Sequence, residues 1–232
     1  MLETFITYYF KKPIPCTAVF ISLLPLILIL VKKAYLDSAF KILLIYLTFK
    51  LIIDLLMIRS ASIHQNNIIY FNLSIPIYYA LLSSMFYEKL DNKIYKKGIA
   101  ISTVALVVFT IWDIFHSNSR ITDFHNHRAV LFSKTIEGVL IIILVLLYFY
   151  ELIKSLKIPD LLVFPFFWIC SGLLLYYSSF IFIAPLLHYT ATWNSVIDLG
   201  ITRVIPYIFE IICALLFSIG IYQFSAENYA RQ

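Results

Sequence analysis

Residues 131–150, LFSKTIEGVLIIILVLLYFY, contain the two features that decide how this chain folds. Lys134 and Glu137 stand three residues apart near its start, and the 13 residues from Gly138 to Tyr150 carry no charge. A mostly apolar run of about 20 residues is long enough to cross the hydrocarbon core of a bilayer as a helix. The stretch therefore predicts a transmembrane helix with a local pair of charges toward one end.

The composition of the whole chain points to the same environment. Of its 232 residues, 62% are hydrophobic and 13% are charged, against about 45–50% and about 25% in soluble domains. A soluble fold of this size cannot bury so much apolar surface. This balance excludes a soluble enzyme, a disordered chain, a disulfide scaffold and a coiled coil, and it predicts a polytopic membrane protein.

Six other stretches have a similar length and apolar content. With the first, they give seven predicted spans at residues 14–31, 38–58, 67–87, 99–116, 129–152, 161–187 and 199–223. We therefore expect an all-α, seven-helix transmembrane bundle that forms one domain over residues 1–232, without a soluble domain. The first span ends in Val31-Lys32-Lys33. That stop-transfer pattern favours a retained helix over a cleaved signal peptide.

Lysine and arginine are distributed unequally between the two sides of this bundle. With the N-terminus outside, ten of them lie on the inner side, five lie on the outer side and three lie within spans. Positive residues are enriched on the cytoplasmic side of membrane proteins. The distribution predicts an N-out, C-in topology, although Lys11 and Lys12 then lie outside. A residue usage rich in Ile, Lys, Asn, Tyr and Phe favours a bacterial cytoplasmic membrane.

Ionisable side chains inside the predicted spans give the main functional signal. A charge in the hydrocarbon region is costly unless it is paired or hydrated. Lys50 and Asp54 are four residues apart and share a helix face, as do Arg203 and Glu210, seven apart. Glu210 is the deepest of these groups. It therefore needs either a cation from another helix or a proton.

The polar groups gather in the outer half of the predicted bundle, which indicates a cavity open to the outside and closed toward the cytoplasm. Pro76 and Pro206 deprive the carbonyls of Asn72 and Thr202 of a helical partner, so both prolines are candidate kinks where helices flex. The candidate ligand-binding residues are Lys50, Asp54, Asn72, Tyr79, Asp113, Lys134, Glu137, Arg203 and Glu210.

Metal and cofactor signals are sparse by comparison. Asp123, His125 and His127 lie in a predicted outer loop and have side chains that suit zinc, but their spacing matches no established motif. The three cysteines form no CxxC pair. The sequence contains no glycine-rich phosphate loop, HExxH or GxSxG. We therefore predict no cofactor, and an enzyme is not favoured.

The favoured function is a receptor-like sensor. A small polar or zwitterionic ligand, or an ion, would enter from the outer side, and a separate membrane or cytoplasmic partner would carry the signal. Seven spans with an outward polar pocket resemble the sensory membrane regions fused to some bacterial histidine kinases, in architecture alone.

Two other functions stay open. One is a proton-coupled transporter of small solutes, with Glu210 carrying the proton. The other is an accessory subunit whose polar faces seal against other helices of a membrane complex. The net charge of +5 is attributed to lysines at the bilayer surface, and nucleic-acid binding is not expected.

Overall fold

Helices account for most of the structure, a computed structural model that describes residues 2–118, 127–155, 161–192 and 204–224. Within these ranges the chain is all-α and 89% helical, with short 3₁₀ turns at Ala34–Leu36 and Leu161–Val163. The α-helices are α1 (Leu2–Lys11), α2 (Pro13–Ile21), α3 (Leu23–Val31), α4 (Ser38–Ser62), α5 (Ile68–Lys89), α6 (Lys93–Ser117), α7 (Leu131–Ser155), α8 (Pro165–Thr192) and α9 (Ile205–Gln223).

Short polar side chains fix the starts of two long helices. Asp37 precedes α4, and its Oδ1 accepts the backbone N–H groups of Ala39 at 2.8 Å and Phe40 at 3.2 Å. Asn92 caps α6 in the same way. Such caps satisfy N–H groups that have no partner within the helix. The other carboxylate oxygen of Asp37 binds Lys89 at 2.6 Å, which ties the end of α5 to the start of α4.

Prolines shape the first and last spans. Pro25 lacks the N–H that would bind the carbonyl of Ile21, and the helix is interrupted at Ser22, between α2 and α3. Pro206 lies in the first turn of α9, where its missing N–H removes no helical hydrogen bond. The expectation that Pro206 kinks the last helix is therefore wrong. Pro76, in contrast, lies inside α5.

Among the residues that the structure describes, six helical stretches are long and apolar enough to cross a membrane. They are Pro13–Val31, Ile68–Lys89, Lys93–Ser117, Leu131–Lys154, Pro165–Ile183 and Ile205–Gln223. They correspond to six of the seven predicted spans. The remaining predicted span forms α4, which has 25 residues but carries Lys41, Lys50, Asp54 and Arg59 and falls outside this group.

The outer surface of the helices is strongly apolar. On α6, Val104, Val108 and Phe115 are 66%, 61% and 61% exposed, and Phe182 of α8 is 79% exposed. Large exposed apolar surfaces are unfavourable in water but are solvated by lipid tails in a bilayer. With the six apolar helices, this surface identifies an integral membrane protein.

The long helices form a closed ring around a shared interior. Going around the ring, the helices follow the order α5, α4, α3, α9, α8 and α7, and each packs on the next. α7 packs on α5 and closes the ring. Within this ring, α2 and α3 separate α4 from α9, and α2 contacts both. α6 lies outside the ring and packs on α5 and α7. Side chains from α4 and α9 must therefore cross the interior to meet.

The two ends of the ring differ in chemistry. One end, here called the lysine end, carries basic residues of the α3–α4 and α5–α6 connections and of the end of α7. These are Lys32, Lys33, Lys89, Lys93, Lys96, Lys97 and Lys154. The opposite end, here called the cavity end, carries the starts of α2, α5, α7 and α9 and the ends of α4, α6 and α8.

Aromatic side chains fill the interior toward the lysine end. Phe40, Phe86, Tyr148, Phe166 and Phe224 are each at most 8% exposed. Their ring centroids lie between 4.9 and 6.4 Å apart in tilted or edge-on pairs. Such geometry is favourable for aromatic pairs. We call this group the aromatic plug, because it occupies the interior between α4, α5, α7, α8 and the end of α9.

Gly220 allows a close approach between α8 and α9. A Cβ atom at position 220 would lie 2.5 Å from the carbonyl oxygen of Pro165 and 3.1 Å from Cβ of Trp168. We predict that Gly220→Ala lowers the free energy of unfolding by about 1–3 kcal/mol, because the backbones must separate. Thermal unfolding of the purified protein in detergent measures this effect.

Gly98→Ala, in α6, is the matched control. Apart from the adjacent backbone of α6 itself, no described atom lies within 4 Å of a Cβ at position 98, and Ala favours a helix over Gly by up to about 1 kcal/mol. The melting temperature of this variant should stay constant or rise. A Gly220→Ala protein that melts no lower than the wild type would contradict the close packing of α8 on α9.

Candidate functional site

A cavity of about 750 Å³ lies at the cavity end of the ring, enclosed by α1, α2, α4, α5, α7, α8 and α9. Its volume falls within the range of about 300–1,000 Å³ that is usual for small-molecule sites. Its charged and hydroxyl lining consists of Lys11, Lys12, Lys50, Asp54, Ser74, Lys134 and Glu210. Its aromatic lining consists of Tyr8, Phe71, Tyr78, Tyr176, Phe180 and Tyr207.

Three charged side chains from two helices meet in the cavity wall. Lys50 of α4 donates to Oδ2 of Asp54, one turn later on the same helix, at 2.5 Å. It also donates to Oε1 of Glu210 on α9. The side chains of Lys50, Asp54 and Glu210 are only 11%, 18% and 13% exposed. We call these residues the charged triad.

The charged triad links two helices that are not direct neighbours in the ring. The i,i+4 spacing places Lys50 and Asp54 on one face of α4, and the long lysine side chain reaches past α2 and α3 to α9. The alternatives considered for Glu210 were a cation from another helix or a proton. The structure supplies the cation, Lys50.

The charged triad contains one more carboxylate than ammonium. Lys50 engages one oxygen of each carboxylate. Within the described parts of the chain, the second oxygens, Asp54 Oδ1 and Glu210 Oε2, accept no hydrogen bond. A formal charge of −1 on these largely buried side chains attracts a cation that enters the cavity more strongly than a charge at the open surface would.

Lys134 and Glu137 form a second pair beside the charged triad. Lys134 donates to Oε2 of Glu137 at 2.8 Å, and the hydroxyl of Tyr177 on α8 donates to Oε1 at 2.8 Å. The ammonium of Lys134 lies 5.2 Å from the ring of Tyr177, 5.6 Å from Phe180 and 6.0 Å from Tyr78. Lys134 lines the cavity, whereas Glu137 is fully buried behind it. This pair is balanced in charge.

Asn72 and Asp113 have contacts away from the cavity. Nδ2 of Asn72 donates to the carbonyl of Arg128 at 2.9 Å, and its Oδ1 accepts the N–H of Val130 at 3.1 Å. Oδ2 of Asp113 accepts the N–H and the hydroxyl of Ser133 at 3.0 and 2.6 Å. Both residues hold the start of α7 in place, so the structure does not bring them into the cavity.

Tyr79 also lies outside the cavity. Its hydroxyl forms a 2.6 Å hydrogen bond with that of Ser102 on α6, and Ser83 contacts Thr103 of α6 at 3.1 Å. This face of α5 fixes the peripheral helix α6 to the ring. The cavity face of α5 instead carries Phe71, Ser74 and Tyr78.

The other sequence candidates are only partly described. Arg203, Asp123 and His125 lie outside the described residues. His127 is buried, and its carbonyl accepts a hydrogen bond from Asn66 at 3.0 Å. Among the residues that the structure describes, no group of three His, Cys, Asp or Glu side chains is placed to hold a metal ion.

Tyr78, next to Tyr79 in the sequence, is not among the predicted ligand-binding residues. Tyr78 is 8% exposed and lines the cavity. Its hydroxyl is buried without a hydrogen-bond partner from any residue described. The sequence does contain a pattern that indicates the cavity face of α5. Phe71, Ser74 and Tyr78 have the i, i+3, i+7 spacing of residues that share one face of a helix.

Exposed lysines stand where α1 meets α2 at the edge of the cavity. Lys11 and Lys12 are both exposed, and Tyr8 precedes them by one turn. Burial raises the pKa of Tyr8, and the nearby Cys16 adds to that effect. The phenol of Tyr8 therefore stays neutral at physiological pH and is available as a hydrogen-bonding group.

Comparisons with known proteins give no functional lead. No family model matches the chain, and no curated protein or solved structure is significantly similar to it. The chemistry and shape of the cavity are therefore the basis for assigning a function.

We predict that Lys50→Met destabilises the protein by about 3–5 kcal/mol, since removing one partner leaves uncompensated buried charge. Asp54 and Glu210 would then face each other without a cation. Combining Lys50→Met with Asp54→Asn and Glu210→Gln should restore most of the loss. Chemical unfolding in detergent micelles provides the measurement.

Lys89→Met is the control for removing a paired lysine. Its partner is Asp37, and the Lys89 side chain is 24% exposed at the lysine end. Asp37 is itself only 8% exposed, but it keeps the backbone N–H groups of Ala39 and Phe40 as partners when Lys89 is removed, so we expect a smaller loss than for Lys50→Met. If Lys50→Met were no more destabilising than Lys89→Met, Lys50 would not be the ion that holds the charged triad together.

Proposed function

We propose that this chain is a receptor-like membrane protein whose cavity binds a small polar ligand. The observation that carries the proposal is the lining of the cavity: the charged triad and Lys134 surround a space of about 750 Å³ inside an apolar bundle. Charges in a membrane are costly, and those that line a cavity typically serve binding or transport.

The closed floor of the cavity supports binding rather than transport. Beneath Lys50 and Glu210 lies a second space of about 20 Å³, with room for about one water molecule. Farther toward the lysine end, the aromatic plug occupies the interior. In the part of the chain that is described, the cavity is therefore blind-ended, as expected for a site that a ligand enters and leaves by the same opening.

The proposal includes α4 as a seventh span. Its 25 residues give a length of about 37 Å, enough to cross the hydrocarbon core. Lys50 and Asp54 point into the ring rather than to lipid, because both line the cavity. The charges that lower the apolar character of α4 are thus largely removed from the lipid surface.

We propose that the lysine end faces the cytoplasm of a bacterial cell, in line with the enrichment of positive residues on that side. The N-terminus and the cavity then face outward, and the C-terminus faces inward. A signalling partner would contact the lysine end, where helix movements caused by the ligand become accessible from the cytoplasm.

Single cysteines in a background without the three native ones test this topology. With an impermeant thiol reagent added to intact cells, Gln65→Cys should be labelled, whereas Tyr35→Cys and Asp91→Cys should be protected until the membrane is permeabilised. All three native side chains are exposed. Equal labelling of Tyr35→Cys and Gln65→Cys would show that α4 does not cross the membrane.

Water access to the cavity is tested on α5 in the same background. Ser74 lines the cavity, whereas Ser83 is buried against Thr103 on the same helix. We expect a small charged thiol reagent applied from outside to modify Ser74→Cys at least about tenfold faster than Ser83→Cys, because ions do not enter an apolar interior. An unreactive Ser74→Cys would refute an outward-facing binding site.

A further inference from the structure

We infer that the cavity binds the ammonium group of a small primary amine with an apolar body. The ammonium would lie against Asp54 Oδ1 and Glu210 Oε2, beside the hydroxyl of Tyr78. This inference deepens the proposed function and rests on it, since it names the chemical class of ligand for the same cavity.

The charge balance of the deep part of the cavity wall favours a cation, whereas the exposed Lys11 and Lys12 line only the edge of the cavity. The Lys134–Glu137 pair is neutral, and Lys50 neutralises only one of its two carboxylates. The remaining negative charge lies on side chains that are at most 18% exposed, so an opposite charge on a ligand gains more there than at the open surface. An anionic ligand would meet the excess carboxylate instead.

The hydroxyl of Tyr78 is an independent sign of a bound group. Tyr78 is 8% exposed, and it lines the cavity together with Lys50, Asp54 and Glu210. No described residue forms a hydrogen bond with it. A buried hydroxyl without a partner costs about 1–3 kcal/mol. An ammonium at the free carboxylate oxygens could donate its third N–H to this oxygen.

The aromatic lining already holds one ammonium. Lys134 lies within 6.0 Å of three rings, which is the range for cation–π attraction. Two of those rings, Tyr78 and Phe180, also line the cavity, together with Tyr176 and Tyr207. A second ammonium would find the same kind of surface, and the ligand's apolar body would contact the aromatic faces.

Other cations fit this arrangement less well. Calcium takes about six to eight oxygen ligands and magnesium about six. The described wall offers two free carboxylate oxygens, and its other side-chain acceptors are hydroxyl groups such as those of Ser74 and Tyr78. A primary ammonium has only three N–H donors, which the two carboxylate oxygens and the Tyr78 hydroxyl would satisfy.

The test uses the full chain, purified in lipid nanodiscs, and three probes of similar size: 2-phenylethylamine, 2-phenylethanol and 3-phenylpropionate. Isothermal titration, corrected with empty nanodiscs, gives the dissociation constant of each. We expect the amine to bind at least about tenfold more tightly than the alcohol or the carboxylate, a difference of one charge-assisted hydrogen bond.

Three single variants test where in the protein the amine binds. Tyr78→Phe removes a hydroxyl that bonds to no described residue, so the fold should persist while amine affinity falls about ten- to a hundredfold. Tyr79→Phe is the matched control, because it removes the neighbouring hydroxyl outside the cavity and should leave affinity unchanged. Asp54→Asn leaves a balanced Lys50–Glu210 pair, so it should also fold and bind the amine more weakly.

Each result bears on the inference. Tighter binding of the alcohol or the carboxylate, unchanged amine affinity in Tyr78→Phe, or no amine binding at millimolar concentration would overturn it. If Ser74→Cys is nevertheless modified from outside, the receptor-like cavity stands and only the amine class is rejected. If Ser74→Cys is unreactive, the proposed function itself is refuted.

Discussion

An ion inside an apolar bundle must find its counterion within the reach of one side chain, and Lys50 meets this requirement by joining α4 to α9. Removing either Lys50 or its partner on the other helix would lower the free energy of unfolding by several kcal/mol. This constraint explains why α4, with its charges, belongs to the ring at all. It also gives the neighbouring space a polar wall, because all three residues of the charged triad line the cavity.

Apolar length was enough to predict the fold class, since each of the seven predicted spans contains a described helix. The boundaries were less predictable. α6 begins six residues before its predicted start, because the cap at Asn92 allows Lys93, Lys96 and Lys97 to join the first turns of the helix. The last span begins at Ile205, beside a proline that starts a helix as readily as it kinks one.

The candidate site was predictable only where its contacts are local. Spacing alone gave Lys50–Asp54 and Lys134–Glu137, whereas the Lys50–Glu210 contact depends on which helices meet in three dimensions. The role of Asp113 was not predictable from its position in a span, because a buried carboxylate can cap a neighbouring helix, as Asp113 does at Ser133, as well as bind a ligand. The structure places Tyr78, and not the predicted Tyr79, in the cavity lining; one residue corresponds to a rotation of about 100° around the helix.

The distance along the chain between Lys50 and Glu210, 160 residues, has a consequence for biosynthesis. At about 5–20 residues per second, α9 emerges from the ribosome roughly 8–30 s after the middle of α4. During that interval Glu210 is not yet available, and Lys50 pairs with the carboxylate of Asp54 on the same helix. With α4 as the proposed seventh span, the nascent helix enters the bilayer nearly neutral at its centre, and Glu210 brings the surplus charge only when the last helix closes the ring.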